Sequence, residues 1–297
     1  MIVLGKNKLI VSLCTDTGNT RKINQDNFYS DGKYNTEPSR KSLSLSAESD
    51  GGLFAVADGM GGEANGEKAS LFAVEALNEI KAKFPSADDI NSAVSRANER
   101  VCEMITATGS RSGTTIAAAV IKGKQLNVYN IGDSKCLLYH DGKLDQLSKD
   151  HTVTAQMIEA GLITKEEAAA DRRRHQLFQH IGISPEEMKI SVSQSEGNKL
   201  NDGDIVILCS DGMTDGLDDN DIVSIIKSNS DKTVLAQELV SAALTNGSKD
   251  NTTALTVFNH KKKHSGLKLF LLSLLTVGAA AFCTLGAMII AGIIKLW

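Results

Sequence analysis

Five aspartates stand at the ends of apolar, strand-like runs. Asp58 closes "FAVAD" before "GMGG", and Asp211 closes "VILCSD" before "GMTDGL". Asp250 opens "DNTTALTVF", Asp133 sits between two such runs in "NIGDSK", and Asp26 follows the first run in "RKINQD". Strand ends of one sheet can meet at one rim, and carboxylates gathered there repel unless cations neutralise them. Oxygen donors with no His or Cys beside them suit Mg2+ or Mn2+ rather than Zn2+. Taken singly, each aspartate also reads as an ordinary turn residue. Arg21 precedes Asp26 on the same connection. Its guanidinium can take two oxygens of a phosphate, although a surface arginine needs no such role. Gly59, Gly61 and Gly62 beside Asp58 fit two readings. They either cradle a phosphate with backbone N–H groups or form a tight turn that holds Asp58 against a cation.

The elements that must position these residues follow from periodicity. Strands are predicted over 9–15, 52–57, 114–121, 125–131, 135–140, 190–194, 204–209 and 252–258. Residues 52–57 are all small or apolar, as for a strand buried on both faces. Helices are predicted over 64–83, 87–106, 151–160, 165–170, 219–227 and 232–244. In the second, Ile90, Val94, Ala97, Val101 and Ile105 share one face. The connections "KGK", "GDS" and "DGK" read as hairpin turns. The polar, Ser-rich stretch 33–50 reads as an exposed loop. Helices arriving in pairs between tightly turned strands give an α+β class with an antiparallel sheet, not a doubly wound parallel one.

A formal net charge of −4 offers no basic field for nucleic acid. The five cysteines form no CxxC pair, and Cys14, Cys136 and Cys209 lie in apolar runs, as small core residues of a reducing compartment do. Residues 269–294 carry no charge over 26 positions, longer than the roughly 20 needed to cross a bilayer. They read as a transmembrane helix. Lys261, Lys262, Lys263 and Lys268 precede it, which places the N-terminal domain in the cytoplasm. The first residues lack the pattern of a cleaved signal peptide. The expected division is a catalytic domain over 1–259, a basic linker over 260–268 and a single-pass membrane anchor over 269–294 that contacts lipid.

Six segments occur in one order: "DTGNTRKINQD", "FAVADGMGGEANGEKAS", "SGTTIAAAVI", "VYNIGDSKCLLYHDGKLDQLSKDHT", "DGDIVILCSDGMTDGL" and "GSKDNTTALTVF". In order and spacing they resemble the metal-dependent protein phosphatases (PPM family, protein phosphatase 2C type) of the bacterial Ser/Thr branch. The resemblance runs from about residue 9 to 258. It implies a central antiparallel β-sandwich flanked by pairs of helices, four layers in the order αββα. It further implies two Mn2+ or Mg2+ ions, with Asp58 bridging them and the Gly59 carbonyl ligating one. Asp211 and Asp250 would bind the other ion, and Asp26 would hold one through water. Asp133 and Asp215 match positions for a weaker third ion, and Arg21 would grip the substrate phosphate. A hydroxide bridging the ions would then attack phosphorus in line, with the metals and Arg21 stabilising the developing charge.

Four departures from the family pattern stand near these residues. Met60 occupies the place of a histidine implicated as general acid in eukaryotic relatives. Glu63 replaces a common histidine, Lys135 a common arginine and Gln25 a common glutamate. Residues 161–189 match the family's flap, where Arg172, Arg173 and Arg174 either contact a phosphoprotein or form a solvated run. His151 and Thr152 match a structural turn. The implied activity is that of a phosphoserine and phosphothreonine phosphatase. Its partners would be phosphoproteins, including a transmembrane Ser/Thr kinase and its substrates, met as a monomer and without nucleic acid. The alternative is a catalytically weak membrane scaffold or sensor of the same fold. A cysteine phosphatase is excluded, because Cys14 and Arg21 are spaced C-x6-R and lack the glycine-rich loop between them.

Overall fold

A computed structural model describes residues 8–37, 41–61 and 65–260 of the chain. The predicted membrane helix over 269–294 and nearly all of the basic linker lie outside them, as does Glu63. Among the described residues no helix is long and apolar enough to cross a membrane.

Along the chain run β1 (Lys8–Asp16), β2 (Asn27–Ser30), β3 (Lys33–Tyr34), β4 (Ser42–Ser49), β5 (Gly52–Ala57) and β6 (Gly59–Met60). Helices α1 (Gly66–Asn78) and α2 (Ala87–Thr108) follow, then β7 (Gly113–Thr114), β8 (Ile116–Lys122), β9 (Gln125–Ile131), β10 (Lys135–His140) and β11 (Lys143–Gln146). The remainder comprises α3 (Val153–Glu159), α4 (Lys165–Ala170), β12 (Ser193–Lys199), β13 (Ile205–Cys209), α5 (Asp211–Gly216), α6 (Asp219–Ser228), α7 (Leu235–Thr245) and β14 (Thr252–His260).

Two six-stranded sheets form, in the orders β11-β10-β13-β14-β1-β4 and β12-β9-β8-β5-β2-β3. Every pairing is antiparallel. Their inner faces meet in one core that includes Leu13, Phe28, Phe54, Val128, Leu208 and Leu255. A second core packs α1 and α2 on the outer face of the β5 sheet. A third packs α5, α6 and α7 on the outer face of the β13 sheet. Residues therefore alternate between two buried environments along β5, which explains its uninterrupted burial. Phe54 is fully buried between the sheets. Phe54→Ala is expected to lower unfolding stability by about 3–5 kcal/mol through lost burial and a residual cavity, read as a lower urea midpoint.

The structure corrects several expectations. Residues 33–50 are not a plain loop, because they contain β3 and β4. In "SLSLSAES" Leu43 packs on the inter-sheet core while Ser42, Ser44 and Ser46 are exposed, and the backbone pairs with β1. One-sided pairing at a sheet edge needs little apolar content, so the composition disguised the strand. The "GDS" connection is not a hairpin. It carries the chain from β9 in one sheet to β10 in the other. The strand expected over 190–194 lies at Ser193–Lys199, and the helix expected from 64 begins at Gly66. The helix expected from 232 begins at Leu235, because the Thr233 amide and hydroxyl both donate to Asp231 in a preceding turn. The outer helices of the β13 sheet number three rather than two, since the short α5 was not anticipated. The strand expected over 252–258 runs on to His260, which pairs with Lys8.

Register brings the acidic connections to one end. Asp16 faces Thr252, Cys209 faces Ala254, Lys135 faces Cys209, and Asn27 faces Ala57. The ends of β1, β5, β9 and β13 and the starts of β2, β10 and β14 thus share a rim. Asp26 stands on the crossing from β1 to β2 and Asp133 on the crossing from β9 to β10, both of which pass from one sheet to the other.

Candidate metal centre

At that rim a cavity of about 340 Å3 is lined by Arg21, Gln25, Asp58, Gly59, Asp133, His175, Asp211 and Asp250, among others. Sequence-predicted residues from distant parts of the chain therefore meet in one place. Asp26 lies beneath, 2% exposed. Its Oδ2 accepts the hydroxyls of Ser210 and Thr253, each at 2.7 Å, and Thr253 in turn contacts Thr15 at 2.7 Å. Burial pushes the Asp26 carboxyl up to about 7, against those two hydroxyls and with Asp211 and Asp250 nearby.

Asp58 is fixed through its backbone. Its amide donates to Thr115 Oγ1 at 3.0 Å, and its carbonyl accepts from the Thr115 amide and the Thr114 hydroxyl. Burial, followed by the charges of Asp26, Asp211, Asp133 and Asp250, raises its carboxyl well above the ordinary range. Gly59 follows at a close crossing. A Cβ there would lie 2.2 Å from the Gly66 carbonyl oxygen and 2.4 Å from that of Gln25, so only glycine fits. The glycine is required by packing, with its amide donating to Gln25 O at 3.1 Å.

Asp133 is held by its neighbours. The Gly132 amide donates to His151 Nδ1 at 3.1 Å, and His151 Nε2 meets Ser193 Oγ at 2.8 Å. His151 is thus a neutral strut, its imidazole pushed down by burial. Ser134 Oγ meets Thr115 Oγ1 at 2.6 Å, tying the Asp133 loop to the Asp58 loop. Burial first, and then Asp211, carries the Asp133 carboxyl up to about 7. Lys135 lies beside it but pairs with Asp150 at 2.5 Å.

Asp250 Oδ2 accepts from Arg21 at 2.6 Å, which parks the guanidinium at the cavity wall. Asn251 supplies the underlying scaffold. Its Oδ1 accepts the Gln25 amide, and its Nδ2 donates to Thr17 O and Ile23 O. One buried amide thereby joins the loop carrying Arg21 and Asp26 to the segment that carries Asp250 into β14. Sequence reasoning assigned Asn251 no part, although "KDN" placed it beside a candidate ligand.

His175 is the larger omission. The flap brings its Nδ1 to 3.4 Å from Asp211 Oδ2 and its Nε2 to 3.7 Å from Asp215 Oδ1. The sequence reading placed no histidine beside the carboxylates, yet donor atoms of Asp133, His175 and Asp211 lie within 4.8 Å of one another. The only sequence signal was one of two histidines in the flap, directly after the run of three arginines. Burial alone would raise Asp211, but hydrogen bonds from His175 and Asp58 outweigh it and hold that carboxyl below its ordinary value. Asp211 in turn raises His175. Asp215, one turn along α5, is raised by burial and by Asp211. Of the flap arginines, Arg173 is engaged by Asp171 through two side-chain contacts at 3.1 and 2.7 Å.

Two buried carboxylate oxygens, Asp26 Oδ1 and Asp211 Oδ1, have no hydrogen-bond partner among the described residues. Orphaned acceptors among mutually repelling carboxylates fit hard divalent cations.

Residues 34–246 match the family model described as Protein phosphatase 2C. The chain is 28% identical to the serine/threonine phosphatase stp of Listeria welshimeri, over 82% of this chain and 93% of that one. The Mycobacterium tuberculosis serine/threonine phosphatase PstP/Ppp superposes with a TM-score of 0.71 at 27% identity, covering 86% of this chain and 100% of that one. The catalytic domain of serine threonine protein phosphatase PstP in complex with two manganese ions superposes with a TM-score of 0.66 at 27% identity, covering 85% and 100%.

Proposed function

The chain belongs to the protein phosphatase 2C family of serine/threonine phosphatases, and from that membership we propose that it hydrolyses phosphoserine and phosphothreonine in proteins with the aid of Mn2+ or Mg2+. The observation that carries this reading is the meeting of Asp58, Asp133, Asp211, Asp250 and Arg21 in one cavity over the buried Asp26. A scaffold without turnover would have no need of so many mutually repelling carboxylates.

Asp58 and the Gly59 carbonyl would hold one ion, with Asp58 shared by a second held by Asp211 and Asp250. Asp26 would act from beneath, and Asp133 and Asp215 would serve a third ion. When bound, the ions supply Lewis-acid charge and a nucleophile from water at neutral pH. Arg21 binds and orients the phosphate. Its contact with Asp250 uses one terminal nitrogen and leaves the remaining N–H groups of the fork for phosphate oxygens. Met60 stands where eukaryotic relatives carry a histidine, and its thioether has no proton to give.

The test is hydrolysis of a phosphothreonine peptide with Mn2+ present and after chelation. Arg21→Ala is expected to lower kcat/KM about 10- to 100-fold, the scale of one hydrogen bond to a charged group, with the fold retained by circular dichroism. An unchanged rate would remove Arg21 from the site.

The same reading places the enzyme, as a monomer, at the cytoplasmic face of the membrane. Residues 269–294 would form the single-pass anchor, with 260–268 as its basic approach. Its substrates would then include phosphoproteins at the membrane, among them a transmembrane kinase. Truncation after His260 should move the protein from the membrane fraction to the soluble fraction. Continued pelleting of the truncated form would refute the anchor.

A further inference from the structure

A groove of about 900 Å3 adjoins the carboxylate cavity and is not part of it. Met60 and Gly61 line both, so the groove begins where the cavity ends. One wall is the end of α2 and the residues after it, including Ile105 and Arg111. The other wall is the flap, including His180, Ile183 and Glu187.

The walls are built to stay apart at a set distance. Asn98 on α2 is 5% exposed. Its Nδ2 donates to Ile183 O at 3.0 Å, and its Oδ1 accepts the Gly182 amide at 2.7 Å. Thr114 and Ile181 exchange two backbone bonds, at 3.0 and 2.9 Å. Gly113 cannot gain a side chain, because a Cβ there would lie 2.6 Å from His180 Nδ1 and 2.8 Å from Ile181 O. This stretch of the flap is therefore stitched to α2 and β7, and the groove is preformed.

Its volume falls within the range of about 300–1,000 Å3 typical of ligand sites. Its lining mixes apolar surface from Met60, Ile105 and Ile183 with two exposed charges, Arg111 on the α2 side and Glu187 on the flap, a pattern that reads side chains rather than a small polar metabolite. The cavity beside it has room for a phosphorylated residue, and the polypeptide bearing that residue must continue past the cavity mouth. The Met60–Gly61 rim leads it into the groove.

We propose that this groove is the subsite for the substrate polypeptide flanking the phosphorylated residue. It seats an apolar side chain against Ile105 and Ile183 and an acidic side chain at Arg111. This inference rests on the phosphatase reading and deepens it by naming the substrate sequence that reading leaves open.

The experiment uses the full chain with Mn2+ and three substrates: p-nitrophenyl phosphate and two phosphothreonine peptides of equal length. Both peptides carry a leucine near the phosphothreonine, and one carries Glu where the other carries Lys. The wild-type chain is expected to prefer the Glu peptide by about fivefold or more in kcat/KM. Arg111→Glu is expected to invert that preference, an effect that partial unfolding does not produce. Ile183→Ser should lower kcat/KM for both peptides by a larger factor than for p-nitrophenyl phosphate. Equal use of the two peptides by the wild type, or no inversion in Arg111→Glu, would overturn the groove. Failure of the wild type to hydrolyse p-nitrophenyl phosphate under Mn2+ would instead overturn the phosphatase reading, and the groove with it.

Discussion

Asp58→Asn is expected to reduce phosphothreonine-peptide hydrolysis on the order of a thousandfold or more, and also to raise the melting temperature of the chelated protein. The two effects share one cause. Asp58 is raised by burial and by four neighbouring carboxylates, so its ionised form strains the folded state when no cation compensates it. Asparagine keeps the shape and removes the charge. It also removes the anionic oxygens that would join two ions, and with them the charge available to a phosphate in the cavity. Peptide assays with Mn2+ and thermal melts in chelator would be run on the same preparation. A normal rate would show that Asp58 is not part of the reacting centre. A lower melting temperature in chelator would show that the aspartates do not repel as described.

The second large effect is on stability. Asp26 and Asp133 are each raised from 3.8 to about 7. A raised folded-state value means that the native protein binds more protons than the unfolded chain between those limits. The stability these groups contribute is therefore fully present below about pH 4 and is lost as pH rises through about 7. Divalent cations act in the opposite sense, because they compete with protons for the same oxygens and bind better as the carboxylates ionise. At a thousandfold excess over Kd, one bound ion stabilises by about 4 kcal/mol, or roughly 8–16 °C in Tm for a domain of this size. In melts across pH 5–8, Mn2+ should raise Tm progressively more toward pH 8, and Asp133→Asn should flatten the slope seen in chelator. A metal effect independent of pH would contradict this account.

Much of the site was legible in the sequence because each aspartate ends a run whose apolar pattern marks it as a strand. Which strand ends share a rim was not legible, since it depends on register and on the sheet to which each strand belongs. The "GDS" turn shows the difficulty. Its residues suit a hairpin, yet it links two sheets, because Cys136 and Val128 bury into the same core from opposite sides. The edge strand β4 was hidden for another reason: only one of its faces meets the core, so serines suffice elsewhere. His175 and Asn251 were missed because their parts are set by the partners that tertiary structure brings, Asp211 and Asp215 for one, Thr17, Ile23 and Gln25 for the other. The flap's sequence says little about where it lies. Asn98, far away on α2, fixes that.

The pairing of β1 with β14 along its whole length has a consequence for how the protein is made. The first strand leaves the ribosome long before its partner, and until β14 arrives it has only β4 beside it. Contacts so distant in sequence close late, because the loop entropy must be overcome before the strands hold. Asp250 and Asn251 lie immediately before that last strand, so the loop carrying Arg21 and Asp26 cannot be locked before synthesis of the domain is almost finished. The nascent chain is therefore without activity until its final strand is in place.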